Sequence, residues 1–416
     1  MSSPAVVKVK PPTIDPIDVS RKELYAEDRW QEPFRRLRAE APIQYVPDSL
    51  FGAYWSVSTA KPIIHIEALP KMFSSSYEYG GITIAFEANS LLPDEERMPM
   101  FIAMDPPQHT AQRRTVAPSF GPSEVAAMKE EVRQRTGDLL DSLPVGEPFD
   151  WVQKVSIELT TGMLAKLFDF PWEERANLTR WSDVGGDVEL IRAPGGMAKR
   201  NAELGEMGQA FAQLWQQRIA NPGKDLVSVM AHSDAMNHMS PQEFIGNLIL
   251  LIVGGNDTTR NSMSAYAYGL SQFPDECAKL EANPDLIPNA VQEIIRWQTP
   301  LAHMRRTVME DNDLLGVEMK KGDKVFLWYL SANRDEEVFD DPDSIRVDRE
   351  NARRHLAFGY GIHRCVGARV AEIQLITLLE EMAKRRLRVN VLGEPTRIPA
   401  CFVHGYSAMQ VELSHY

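Results

Sequence analysis

The stretch from Ser240 to Phe273 constrains the fold most, because its start and stop signals frame a helix long enough to cross a whole molecule. Ser240 reads as an N-cap, Pro241 takes the first helical position, Glu243 closes a capping box and Pro274 ends the run. At about 1.5 Å per residue the helix is roughly 50 Å long. Its middle, Leu248-Ile-Leu-Leu-Ile-Val253, is apolar on every side, which marks a buried helix. Gly254-Gly-Asn-Asp-Thr-Thr259 follows at once. Two interior glycines cost about 2 kcal/mol relative to alanines, and a buried Asp257 costs more unless it has partners. A use for both is therefore expected. Gly254 and Thr258 are four apart and share a helix face, which leaves a small gap edged by a hydroxyl, with Asp257 beside it as a link to solvent.

A second constraint is His355-Leu-Ala-Phe358-Gly359-Tyr-Gly361-Ile-His363-Arg364-Cys365-Val-Gly367. Gly359 and Gly361 permit turn conformations that other residues resist. The helix expected after Cys365 aims its first amide N–H groups at the sulfur and favours a thiolate. The pattern Phe-Gly-x-Gly-x-His-x-Cys-x-Gly resembles the haem-binding signature of the cytochrome P-450 family, the haem-thiolate monooxygenases. The resemblance implies a mainly α fold with small β-sheets, the long helix over haem b and the cysteine loop beneath it. It also implies Cys365 as axial ligand to the haem iron, where a thiolate favours O–O cleavage. Residues 1–416 are expected to form a single domain, with residues 1–20 as a surface arm.

The segment Gly254 to Thr258 is similar to the family's oxygen-activating segment, which implies that Asp257 and Thr258 deliver protons. Four positions match the family's propionate ligands: His109, Arg113, Arg305 and His363, with His303 as a fifth candidate. Glu293 and Arg296, at i and i+3 on one helix face, match its buried structural pair. The third partner usually comes from a Pro-x-Arg-Phe segment, which here reads Pro342-Asp-Ser344-Ile345. Arg349 is the candidate replacement.

Two longer stretches, Gly254 to Met263 and Arg296 to Arg306, resemble the soluble bacterial group that hydroxylates linear alkanes and fatty acids at the terminal carbon. The resemblance implies a substrate pocket formed by Leu250, Val253 and Gly254 with Leu301, Ala302, Met304, Phe402 and Val403, closed by Ile82, Ile84 and Phe86. Nearly all are apolar, which suits a hydrocarbon. A terpenoid or other bulky apolar substrate is the alternative. A peroxygenase or isomerase is opposed by the presence of Asp257 and Thr258, and a noncatalytic haem protein is the remaining reading.

A net charge of −13 argues against nucleic acid as a partner. No apolar run reaches the ~20 residues of a membrane helix, and the start has neither a signal-peptide core nor an anchor, so the cytoplasm is expected. Cys277, Cys365 and Cys401 have no metal-type spacing and indicate no disulfide framework. About 50 residues follow Cys365, too few for a flavin or iron–sulfur module. Electrons for O2 activation are therefore expected from a separate ferredoxin with its NAD(P)H-dependent reductase. Arg113, Arg114, Arg353, Arg354, Arg364 and Arg369 would form its basic docking patch. A hairpin is expected over Ile43 to Thr59, helical patterning from Pro122 to Ala220, and late strands at Lys324 to Leu330, Arg388 to Val391 and Met409 to Leu413.

Overall fold

The computed structural model describes residues 12–84, 98–187, 190 and 193–416. Its axis is the long helix Pro241–Gln272, as the capping signals require. The Ser240 hydroxyl accepts the Glu243 N–H at 3.1 Å. The Glu243 carboxylate does not complete the box. It accepts instead from the Gln112 side chain, tying the start of the long helix to the helix Gln108–Val116. Leu248, Ile249, Leu251 and Ile252 are buried. They pack with the helices Ile157–Phe168, Ala176–Gly186 and Gly196–Ala220, while Ile287–Gln298 packs with the later part of the long helix. The two glycines serve different ends. A Cβ at Gly255 would lie 2.7 Å from Leu164 Cδ2, so this one permits close helix packing, whereas Gly254 faces open space.

Small sheets sit beside this helical body. One runs in the order Ile43–Val46, Tyr54–Val57, Lys324–Leu327, Met304–Val308, Phe73–Ser74. Its first pair is the expected antiparallel hairpin. The expected strand through Leu330 stops at Leu327, because after a last bond from the Trp328 amide to the Val57 carbonyl the chain turns into the short helix Tyr329–Ala332. That turn lets the Tyr329 hydroxyl reach Glu67 at 2.6 Å. A second sheet joins Phe149–Asp150, Gln410–His415 and Leu387–Val391.

The described part of the N-terminal arm is mostly exposed from residue 12 to 16 and is anchored at its end. Gln44 exchanges two hydrogen bonds with the Ile17 backbone, and the buried Val19 carbonyl accepts from the Tyr25 hydroxyl. Residues 1–11 lie outside the described residues. Among the described residues, no helix is long and apolar enough to cross a membrane.

Beneath the long helix, Glu293 and Arg296 form the expected pair with two contacts of 2.7 and 2.8 Å, both side chains fully buried. Arg349 supplies the third member at 2.8 Å from Glu293. The loop containing Ser344 contributes backbone carbonyls to Arg296 instead of a side chain. The network is therefore complete without the arginine that the family pattern would place in that loop.

Candidate active site

A cavity of about 1040 Å³ separates the long helix from the cysteine loop. Of the three cysteines only Cys365 lines it; Cys401 is fully buried in another part of the core and Cys277 lies beside Glu281. The loop is held by the Cys365 N–H on the Phe358 carbonyl at 2.8 Å. Gly359 and Gly361 both have φ of +66°, the left-handed conformation expected of them. A side chain at Gly361 would also collide with the Glu67 carbonyl oxygen. The exposed face of Cys365 looks into the cavity, while protein packed around the sulfur pushes its thiol pKa up. The Gly367 N–H, Arg113 and Arg364 pull it back without reversing the direction. The helix-start donor expected from the sequence is thus present, but desolvation outweighs it in the protein alone. A metal cation on the sulfur reverses that balance.

Beside the loop, the rings of His109 and His363 lie 4.2 Å apart. All four of their ring nitrogens are buried without a hydrogen-bond partner among the described residues. Burial, then the charge of Arg113, holds His109 down at about 4. Burial, then Arg306, His109 and Arg113, holds His363 well below the usual range. Two neutral imidazoles therefore stand with an N–H each to donate, next to two guanidiniums that line the cavity, Arg113 and Arg306. Buried donors of this kind match an anionic group such as the propionates of haem b.

Arg305 is the correction to the expected ligand set. In the strand Met304–Val308 side chains alternate, so Met304 and Arg306 share the cavity wall while Arg305 turns away. Its guanidinium donates to the Tyr79 carbonyl at 2.9 Å and to Thr307 at 3.4 Å, over Gly80. The two-residue period counted from Met304 was the signal that could have chosen Arg306. His303 also leaves the set: one ring nitrogen sits 2.9 Å from the Cys401 carbonyl and the ring packs on Trp328.

On the opposite wall, Gly254 opens into the cavity and the Thr258 hydroxyl donates to its carbonyl at 3.0 Å. Asp257 is buried and accepts from Ser182 at 2.9 Å and from Arg260 at 3.0 Å. Arg260 bonds in turn to Asp183 at 2.8 Å, whose side chain is half exposed. The expected link from Asp257 to solvent therefore runs through Arg260. Burial raises the Asp257 pKa, with Arg260 and Ser182 offsetting only part of it. Gly186 makes room for this carboxylate, since a Cβ there would stand 2.8 Å from Asp257 Oδ2.

Ile82, Leu250, Val253, Gly254, Leu301, Met304, Phe402 and Val403 line the cavity as expected. Ile84 and Ala302 do not; both are buried in the cluster of Trp30, Phe34 and Trp328. For Ala302 the reason is alternation again, because Leu301 and Val403 form a β-bridge beside it. Phe86 lies outside the described residues. Met98, Met100, Phe101, Arg200 and Leu204 also line the cavity, and the sequence reading passed over them. A signal existed for Arg200: it continues the buried stripe Leu204, Met207, Phe211 and Leu214 back by one turn.

The family model "Cytochrome P450" matches residues 212–391. Linalool 8-monooxygenase of Pseudomonas putida is 37% identical over 403 residues, covering 95% of this chain and 98% of that protein. A methyl-branched lipid omega-hydroxylase of Mycobacterium tuberculosis is 31% identical, covering 97% and 96%. The solved structure of CYP153D17 from Sphingomonas sp. PAMC 26605 is 62% identical and superposes with a TM-score of 0.91 over 96% of this chain and 99% of that one. With full-length relatives, the matching fold and a cavity-facing cysteine beside buried anion donors, the chain belongs to the cytochrome P450 family of haem-thiolate monooxygenases.

Proposed function

We propose that this enzyme hydroxylates linear apolar chains at the terminal carbon. In this reading Cys365 would hold the haem iron through its thiolate, and His109, Arg113, Arg306 and His363 would hold the propionates. Bound haem b supplies the activation of O2 by electrons. The protein's own residues exclude water, present one carbon and deliver protons. Thr258 presents a hydroxyl beside the opening at Gly254, and Asp257, linked through Arg260 to the surface Asp183, can resupply a proton there.

The observation that carries the reading is the continuous, largely apolar-walled cavity joining Cys365 to Leu250, Val253, Leu301, Met304, Phe402 and Val403. A terminal methyl C–H is stronger than its methylene neighbour, so terminal attack requires walls that present only the chain end. The omega-hydroxylase relative is named for that position. The linalool relative, 37% identical, favours a terpenoid as the second reading.

Electron supply from a small acidic ferredoxin is supported by Arg114, Arg353, Arg354, Arg364 and Arg369. All are exposed, and none is ion-paired to a carboxylate among the described residues. Arg113 drops out of this patch, because it turns inward to the Arg364 carbonyl.

The test is product identification by gas chromatography with a medium-chain alkane, a fatty acid and a terpenoid, using haem-loaded enzyme, ferredoxin and reductase. Terminal alcohols from the linear substrates are expected, with Leu301→Ala shifting them towards internal positions. Mainly internal products from the wild type would overturn the proposal. The ligand assignment is checked separately: Cys365→Ser should lose the thiolate-type carbon monoxide band of the reduced protein, and Cys401→Ser should keep it.

A further inference from the structure

Arg200 is a buried cation that pairs with no acid among the described residues. It sits one turn into the helix Gly196–Ala220, is 4% exposed and lines the cavity. Its one hydrogen-bond contact among the described residues is the Met98 sulfur at 4.0 Å, and its Nε is buried without a partner. Five other deeply buried guanidiniums are treated differently, while Arg305 and Arg334 donate to the Tyr79 and Trp297 carbonyls. Arg38, Arg260, Arg296, Arg306 and Arg349 each meet a carboxylate at 3.0 Å or less. Burying a charge without a partner is costly, and burial lowers the Arg200 pKa only to about 10, so it stays cationic at neutral pH. The free face of this charge opens onto the space that otherwise suits a hydrocarbon chain.

We propose that Arg200 anchors the carboxylate of a fatty acid, whose chain runs through the cavity and presents its methyl end beside Gly254 and Thr258. This rests on the terminal-hydroxylation reading and narrows its substrate class from linear hydrocarbons to linear acids. A guanidinium binds a carboxylate with two parallel N–H donors, a charge-assisted contact worth tenfold or more in affinity. The apolar walls accept the chain. With one end fixed, chain length decides which carbon reaches the reacting position, so selectivity for the terminal carbon should peak at one length.

The experiment is a binding titration of the full-length, haem-loaded enzyme with dodecanoate and with its methyl ester, at a pH where the acid is ionised. In the wild type the acid should bind at least about tenfold tighter than the ester. In Arg200→Met that ratio should fall to about one, and in Arg200→Lys part of it should survive, because the charge remains while the two-donor fork is lost. A wild-type ratio near one overturns the anchor, whether or not the variants fold. A ratio unchanged in Arg200→Met overturns it as well. The carbon oxidised in each ligand is read independently: internal alcohols from both would sink the terminal reading while leaving a measured acid preference standing.

Discussion

Glu293 and Asp257 are both buried acids with an arginine three residues ahead on the same helix, and the structure treats them in opposite ways. Glu293 receives two bonds from Arg296, one from Arg349 at 2.8 Å and one from the Arg346 N–H at 3.0 Å. Burial pushes its pKa up, but the hydrogen bonds and charges of Arg296 and Arg349 outweigh that and hold it below the usual glutamate range. Asp257 shares its single arginine with Asp183 and lines the cavity. There burial wins, and its pKa is raised. The same spacing thus yields a permanently charged structural tie in one place and a carboxyl nearer to protonation in the other. The number of cationic partners decides which, and it also separates fold from chemistry.

The sharpest way to break this distinction is Glu293→Gln, which leaves Arg296 and Arg349 buried with less charge to meet. It should cost about 3–5 kcal/mol of stability, measured by chemical denaturation; a loss under about 1 kcal/mol would place Glu293 with Asp257 as dispensable to the fold. Asp257→Asn should instead leave stability within about 1 kcal/mol, since Arg260 keeps Asp183, and should slow turnover about 100-fold, the lower range for a positioned acid. Steady-state kinetics with reductase in excess decides this.

The two acids should also differ in sign with pH. The folded pKa of Glu293 is depressed, so its contribution to stability is present above the unfolded value and lost as pH falls through the folded one. The folded pKa of Asp257 is raised, so its contribution is present below the unfolded value and lost as pH rises through the folded one. Denaturation midpoints across the acidic range should therefore show Glu293→Gln removing a rise with pH and Asp257→Asn removing a fall; slopes of the same sign would refute the contrast. A smaller effect, severalfold, is expected of Thr258→Ala, which should retain haem while yielding less product per reductant consumed. The smallest is at the surface, where Arg354→Glu should slow ferredoxin-driven reduction severalfold and flatten its salt dependence. Equal rates at all ionic strengths would remove that face from docking.

Legibility in the sequence followed the range of the interactions. The long helix announced itself through Ser240, Pro241 and its apolar middle, and the cysteine loop through two glycines that the backbone requires at positive φ. The Glu293–Arg296 pair was readable because residues three apart on a helix are neighbours in any fold. These signals are local, so the sequence by itself determined them. Arg349 was a candidate third partner that only the packing seated on Glu293, and the choice of Arg306 over Arg305, the separate roles of Gly254 and Gly255, and the exclusion of Ile84 and Ala302 from the cavity were decided only in three dimensions. Each depends on which face of a strand or helix meets a segment distant in the chain. Arg200 belongs with them: only the packed helices around it turned a charge in an apolar stripe into a cation on the cavity wall without an acid among the described residues, because desolvation and pairing are properties of an environment rather than of a residue.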